Sequence, residues 1–341
     1  MKISNLTDKR IVISRTDSIG DVMLTLPLCV WIKTNYPTAT ILFLGKGYTK
    51  AVVECFDQVD DFIDWKSFEN QSKAEKIARL RALNADAIIH VFPNKEIAAL
   101  AKKIHIPVRV GTSHRSFHLL SCTNCIRFTR KRSGLHESQL NHELLRPFGL
   151  SELPTLEKVS ASTSHFHAPK VDLPKFLSSA LQNDGKSIIL HPKSQGSARE
   201  WPMEKYAELT RLLTQQNFTV FFTGTQAEGD AFRSQIPTNS NVIDTTGKLT
   251  LEQLITFISK VDYLVACSTG PLHIAGFLGI NTIGFFVSKR PIHPGRWKAL
   301  GPKVHILVND PECASCKKKG DCNCIADISV KRVLELLGRG C

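Results

Sequence analysis

The sequence has no run of about 20 apolar residues, the length a helix needs to cross the hydrocarbon core of a bilayer. Its first residues, MKISNLTDKRIVIS, lack the apolar core of a secretory signal. Together these absences lead one to expect a cytoplasmic chain, at most attached to a membrane surface. There is no self-similarity at a period of about 20–50 residues, which argues against a solenoid or propeller. No low-complexity tract interrupts the chain. No helix-turn-helix or zinc-finger pattern accompanies the positive charge, so nucleic acid is not an expected partner. The chain also lacks an Asp-x-Asp pair, the usual means of holding a divalent ion on a diphosphate.

What is present describes a globular protein of two domains. The 341 residues exceed what one ordinary core accommodates. They are 42% hydrophobic and 22% charged, and 44 Lys and Arg against 31 Asp and Glu leave a net charge of +13. That balance suits an anionic partner such as a phosphorylated substrate or an acidic membrane surface. Ten cysteines in a cytoplasmic chain read as thiols or metal ligands rather than disulfides.

Strand-like and helical patterns alternate in both halves, the mark of an α/β protein with parallel sheets. Residues 11–14, 40–44, 87–91 and 108–111 read as buried strands of the first half, with helices predicted over 21–36 and 73–83. In the second half the strands are 187–191, 219–223, 242–244, 263–266 and 282–286; helices are predicted over 204–215, 228–235, 251–259 and 271–278. Residues 151–174, rich in Ser, Thr and Pro, read as a linker between domains spanning 1–165 and 166–341. The last helical run, 329–337, either closes the second domain or packs back on the first.

Four loops follow strand-like runs and carry residues fit for chemistry. In Arg15-Thr16-Asp17-Ser18-Ile19-Gly20-Asp21 the carboxylate of Asp21 either caps the next helix or serves as a general base. In HPKSQGSAREWP the small residues Ser194 and Gly196 lie among the cations Lys193 and Arg199, a set suited to a diphosphate or simply to a solvated loop. Glu228, in TGTQAE, either accepts from a sugar hydroxyl or is a first-turn acid favoured by the helix dipole. The fourth loop, Ser268-Thr269-Gly270 before Pro271, joins a strand to a helix whose free N–H groups and dipole favour an anion, with His273 in the first turn.

In this order, RTDSIGDVMLTLPL, HPKSQGSAREWP, TGTQAE and STGPLHIAGFLG resemble the motifs of glycosyltransferase family 9, the ADP-heptose:lipopolysaccharide heptosyltransferases. The resemblance runs over most of residues 11–286. It implies a GT-B fold, two Rossmann-like doubly wound domains facing a central cleft, and inverting transfer from a nucleotide-sugar donor to an acidic lipid-linked saccharide acceptor. It further implies that Asp21 is the catalytic base and that Arg199 assists the leaving diphosphate. Lys193, Ser194, Gly196, Glu228, Ser268, Thr269, Gly270 and His273 would then face the donor, and no cofactor would be required. Ser268 stands where the family usually has aspartate, and Arg199 where it has lysine. The serine favours an alternative, a catalytically weak homologue that binds a nucleotide sugar or lipid-linked saccharide.

On the acceptor side, Arg109, Arg115, Arg130 and Arg132 are either acceptor-binding cations or ordinary basic loops. Cys313, Cys316, Cys322 and Cys324 bring four thiols within twelve positions, enough to surround a structural zinc, although the second spacing is tighter than usual. Cys122 and Cys125 form only a two-member motif. His90 and His105 read as ordinary packed or surface residues.

Overall fold

The structure, a computed structural model, describes residues 4–130, 133–318 and 322–338. It divides into two compact units, Met1–His167 and Ala168–Cys341. In the first, β1 (Arg10–Ser14), β2 (Thr40–Gly45), β3 (Asp61–Asp64), β4 (Ala87–His90), β5 (Val108–Thr112) and β6 (Asn124–Ile126) form one parallel sheet ordered β3-β2-β1-β4-β5-β6. In the second, β7 (Ser187–His191), β8 (Thr219–Phe222), β9 (Val242–Asp244), β10 (Tyr263–Cys267), β11 (Asn281–Phe285) and β12 (Val304–Leu307) are ordered β12-β11-β10-β7-β8-β9. Both are the same doubly wound arrangement. The strand order reverses between β1 and β4 in one unit and between β7 and β10 in the other, and loops at such switch points receive ligands.

The central strands are apolar because helices cover both faces of a parallel sheet. β1, β4, β7 and β10 are buried from end to end apart from Arg10. Three strands were not legible in the sequence: β3 (DFID), β6 (NCI) and β12 (VHIL). All three are sheet edges, exposed on one flank, and their polar residues break the apolar run.

The helix predicted over 21–36 is two helices, Ile19–Met23 and Pro27–Asn35. Pro27 lacks the N–H that a continuous helix needs and opens the second one instead. The predicted linker is also more structured than its composition indicates. Thr155 caps a helix over Leu156–Ala161. His167 N donates to Cys55 O at 2.8 Å and Asp57 N to His165 O at 3.1 Å, so the chain stays stitched to the first unit up to its end. The terminal helix Val330–Gly338 packs in the second unit, where Val333 and Leu337 join its core and Tyr263 Oη donates to Leu337 O at 3.2 Å.

Candidate active site

After β1 the chain passes through Arg15 and turns into the Ile19–Met23 helix. Ser18 is the N-cap, yet its hydroxyl makes no backbone cap; it donates to Asp21 Oδ2 instead. Asp21 is therefore not a capping residue. Its other oxygen, Oδ1, accepts from Arg15 Nη2. Arg15 also donates from Nε to Asp17 Oδ1 at 2.7 Å and lies 3.7 Å from Glu137 through Nη1. Burial works against the Arg15 charge, but Asp17, Asp21 and Glu137 together hold its pKa above the usual range.

Arg130 completes the network. Its Nε donates to Glu137 Oε1 at 2.9 Å and its Nη2 to Asn141 Oδ1 at 3.1 Å. Three carboxylates and two guanidiniums thus meet in a partly desolvated place. Burial first, then the Asp21 charge, push Asp17 up to about 6 against the pull of Arg15. Glu137 is 1% exposed and sits on the Glu137–His142 helix, far from β1 in sequence. The sequence places Arg15 and Asp17 in the loop that carries Asp21 but gives neither a role, and nothing local marks Glu137 as their partner.

The cations expected at an acceptor divide differently. Arg130 is spent on Glu137 and Asn141, and Arg109 on the carbonyls of Ser121 (2.6 Å) and Ile106. Both hold the fold. Arg115 is the exposed N-cap of the Ser116–Ser121 helix, on which Leu119 and Leu120 are also exposed. Arg132 lies outside the described residues. The histidine at the end of β4, His90, is fully buried; burial, with His118 and Arg109 nearby, brings its pKa down to about 3.

In the second unit the loop after β7 holds Lys193, Ser194 and Arg199 around one residue the sequence did not single out. Glu200 accepts from Lys193 Nζ at 2.8 Å, from Ser194 N at 2.9 Å and from Ser194 Oγ at 3.0 Å. Between Ser194 and Ser197 the chain makes a tight turn closed by a 2.9 Å bond, with Gln195 and Gly196 both at positive φ (49° and 78°). Next to it His191 is buried and bonded through Nδ1 to Thr223 Oγ1 at 3.0 Å; burial lowers its pKa.

Across the switch point from this loop, Thr269 precedes the Gly270–Phe277 helix without capping it, its hydroxyl donating to Cys267 O at 3.2 Å, with Pro271 in the first turn and His273 buried. Ser268 is half-buried just before it. Glu228 is taken up in a capping box: Thr225 N and Oγ1 donate to its Oε2 at 2.7 and 3.0 Å. Beyond the ends of β11 and β12 lies a cavity of about 410 Å³ lined by Ser288, Arg290, His293, Val308 and Lys317, which no sequence pattern announced.

Cys313, Cys316, Cys322 and Cys324 come together with all four sulfurs within 4.8 Å of one another. Cys316 Sγ lies 3.0 Å from Cys322 Sγ and 3.8 Å from Cys324 Sγ. Four thiolates about 2.3 Å from a tetrahedral ion would stand about 3.8 Å apart, so the donor set fits a soft metal such as zinc. Burial opposes ionisation of Cys322, but bonds from Cys316 and Cys324 and the charge of Arg199 bring it down to about 7. The cluster can hold a metal.

The sequence profile of glycosyltransferase family 9 (heptosyltransferase) matches residues 75–325. A Haemophilus influenzae protein described as a glycosyltransferase is 26% identical over 313 residues, 89% of this chain and 90% of its own. The lipopolysaccharide core heptosyltransferase OpsX of the same organism is 23% identical over 331 residues, covering 89% and 86%. Among solved structures, a family 9 glycosyltransferase of Veillonella parvula superposes with a TM-score of 0.80 at 21% identity, covering 99% of each chain. The Escherichia coli heptosyltransferase WaaC with ADP gives 0.72 at 16% identity, covering 97% of this chain and all of its own. These two share the fold of both units. No helix among the described residues is long and apolar enough to cross a membrane.

Proposed function

We propose that this chain, which belongs to glycosyltransferase family 9, moves a heptose or related sugar from an ADP-sugar to the inner core of lipopolysaccharide, with inversion at the anomeric carbon. Membership makes it a glycosyltransferase of the heptosyltransferase type. The observation that carries the finer reading is Asp21, a carboxylate beyond the end of β1 at the switch point of the first sheet, oriented by Arg15 and Ser18. That is the placement and fixed orientation a general base requires.

In this mechanism Asp21 takes the proton of the acceptor hydroxyl as its oxygen forms a bond to the anomeric carbon. The bond from that carbon to the donor phosphate breaks on the opposite side, and ADP leaves with the electron pair. Arg199, Lys193, Ser194 and the N-terminus of the Gly270–Phe277 helix stabilise the charge that develops on the diphosphate; a well-aimed donor of this kind is worth about 3 kcal/mol. Gly196 lets the backbone turn close to the phosphates, while Ser268, Thr269 and His273 complete the donor side. Glu228 contributes by ordering the turn after β8.

With no Asp-x-Asp pair in the chain, these cations do the work that a divalent ion performs elsewhere. Cys313, Cys316, Cys322 and Cys324 would hold a structural zinc, which would fix the segment that carries them. Arg115, with the exposed Leu119 and Leu120, supplies the contact with an acidic, lipid-linked acceptor and the inner membrane surface. The test is calorimetry of ADP, UDP and GDP without added metal. Selective binding of ADP, weakened but still measurable in Arg199→Ala, is expected; a preference for UDP or GDP would overturn the ADP-sugar assignment.

A further inference from the structure

Arg199 stands between two sites. From one side it belongs to the loop after β7 that carries Lys193 and Ser194. From the other, its Nη1 donates to Cys322 O at 2.7 Å and lies 3.1 Å from Cys322 Sγ, across 123 residues of sequence. A guanidinium is planar, so fixing one nitrogen against two acceptors orients the whole group. Whatever fixes Cys322 therefore orients Arg199.

The surroundings make this a connection between two packed segments rather than one chance contact. Two residues on from Arg199, Trp201 Nε1 donates to Ile328 O at 2.9 Å, and Lys205 Nζ reaches the same carbonyl at 2.9 Å. Trp201 shares its core with Cys313, Cys316, Cys324, Ile325 and Ile328. The loop after β7 and the cysteine segment thus pack as one body, and of its polar links Arg199 is the one that reaches a cysteine of the cluster.

We infer that Cys322 is a positioning residue for Arg199, and that a metal held by Cys313, Cys316, Cys322 and Cys324 sets the guanidinium for the donor diphosphate. Metal binding makes the Cys322 sulfur a thiolate, a stronger acceptor for a charged N–H than a thiol. It also ties the Cys322 backbone to three other anchors. Arg199 in turn is an outer partner of the metal site, and such partners govern metal affinity. Because the coupling is reciprocal, metal and nucleotide each favour binding of the other. The inference rests on the reading of Arg199 as a diphosphate-binding group.

The experiment uses the full chain loaded with zinc, its fold checked by circular dichroism. Zinc affinity is measured by competition with a chromophoric chelator and ADP affinity by calorimetry, for wild type, Arg199→Ala and Arg199→Lys. Arg199→Ala is expected to weaken zinc binding by about 10–100-fold, with Arg199→Lys in between. Zinc removal is expected to weaken ADP binding at least about 5-fold in wild type and not at all in Arg199→Ala. Absence of stoichiometric zinc, zinc affinity unchanged in Arg199→Ala, or an equal loss of ADP affinity in both proteins on zinc removal would overturn the inference. Should Arg199→Ala weaken zinc but bind ADP as wild type does, the diphosphate reading of Arg199 fails and takes the coupling with it.

Discussion

At the scale of single residues, the first unit is governed by how its charges are shared. Asp17, Asp21 and Glu137 meet Arg15 and Arg130 in one network, and burial, with the Asp21 charge beside it, raises Asp17 to about 6 against the pull of Arg15. A carboxylate with a raised folded-state pKa stabilises the fold most below its unfolded value, about 3.8. That contribution is lost as pH rises through about 6. The buried histidines act in the opposite sense. His90, down to about 3, and His142, down to about 4, are held neutral by burial, so stability increases as pH rises toward their unfolded value of 6.5. Urea midpoints at pH 5 and 7.5 separate the two effects: Asp17→Asn is expected to steepen the rise with pH relative to wild type. Equal slopes would show that the fold does not raise the pKa of Asp17. The sequence could offer Asp21 as a base because of where it follows a strand. It could not show that Arg130 would meet a glutamate, or Arg109 two carbonyls, since an unpaired and a paired arginine look alike until the chain folds.

At the scale of elements, apolar central strands and their turns were legible because burial on both faces leaves continuous runs bounded by small or polar residues. Edge strands β3, β6 and β12 were not, since only tertiary pairing makes strands of such short, mixed segments. The break before Pro27 could have been read from proline's missing N–H. The Gly270–Phe277 helix was legible at its start, through Pro271, but its glycine has a purpose that only packing reveals. A Cβ on Gly276 would lie 2.4 Å from Leu300 O and 3.1 Å from Ala299 Cβ, where the chain crosses the helix on its way to β12. Gly276→Ala is therefore expected to destabilise the protein by about 1–3 kcal/mol. Among the described residues, a Cβ on Gly338, the last residue of the terminal helix, would meet nothing within 4 Å, and Gly338→Ala is expected to leave stability within about 0.5 kcal/mol of wild type. Thermal melts of the two variants check the contrast; a Gly276→Ala protein as stable as wild type would mean that the helix does not pack this closely.

At the scale of the whole molecule, two copies of one doubly wound arrangement each bring their switch-point loops to the carboxyl ends of their strands. The first copy presents a carboxylate held by a buried arginine. The second presents two cations, a tight turn and a helix N-terminus. On the proposed reading, one unit takes the proton and the other holds the diphosphate, the division of labour that sugar transfer from a nucleotide diphosphate needs. Ser268, in place of the family's aspartate, lies in the second unit, whereas Asp21 and its partners lie in the first. The most direct measurement is the rate of ADP release from ADP-heptose with a lipopolysaccharide inner-core acceptor, for wild type and Asp21→Ala, alongside calorimetric ADP affinity. Wild type is expected to turn over, and Asp21→Ala to lose about 10²–10⁴-fold in rate while binding ADP nearly as tightly. Equal turnover by the two proteins, or none by wild type, would contradict the assignment of Asp21 as the base of an ADP-sugar transferase.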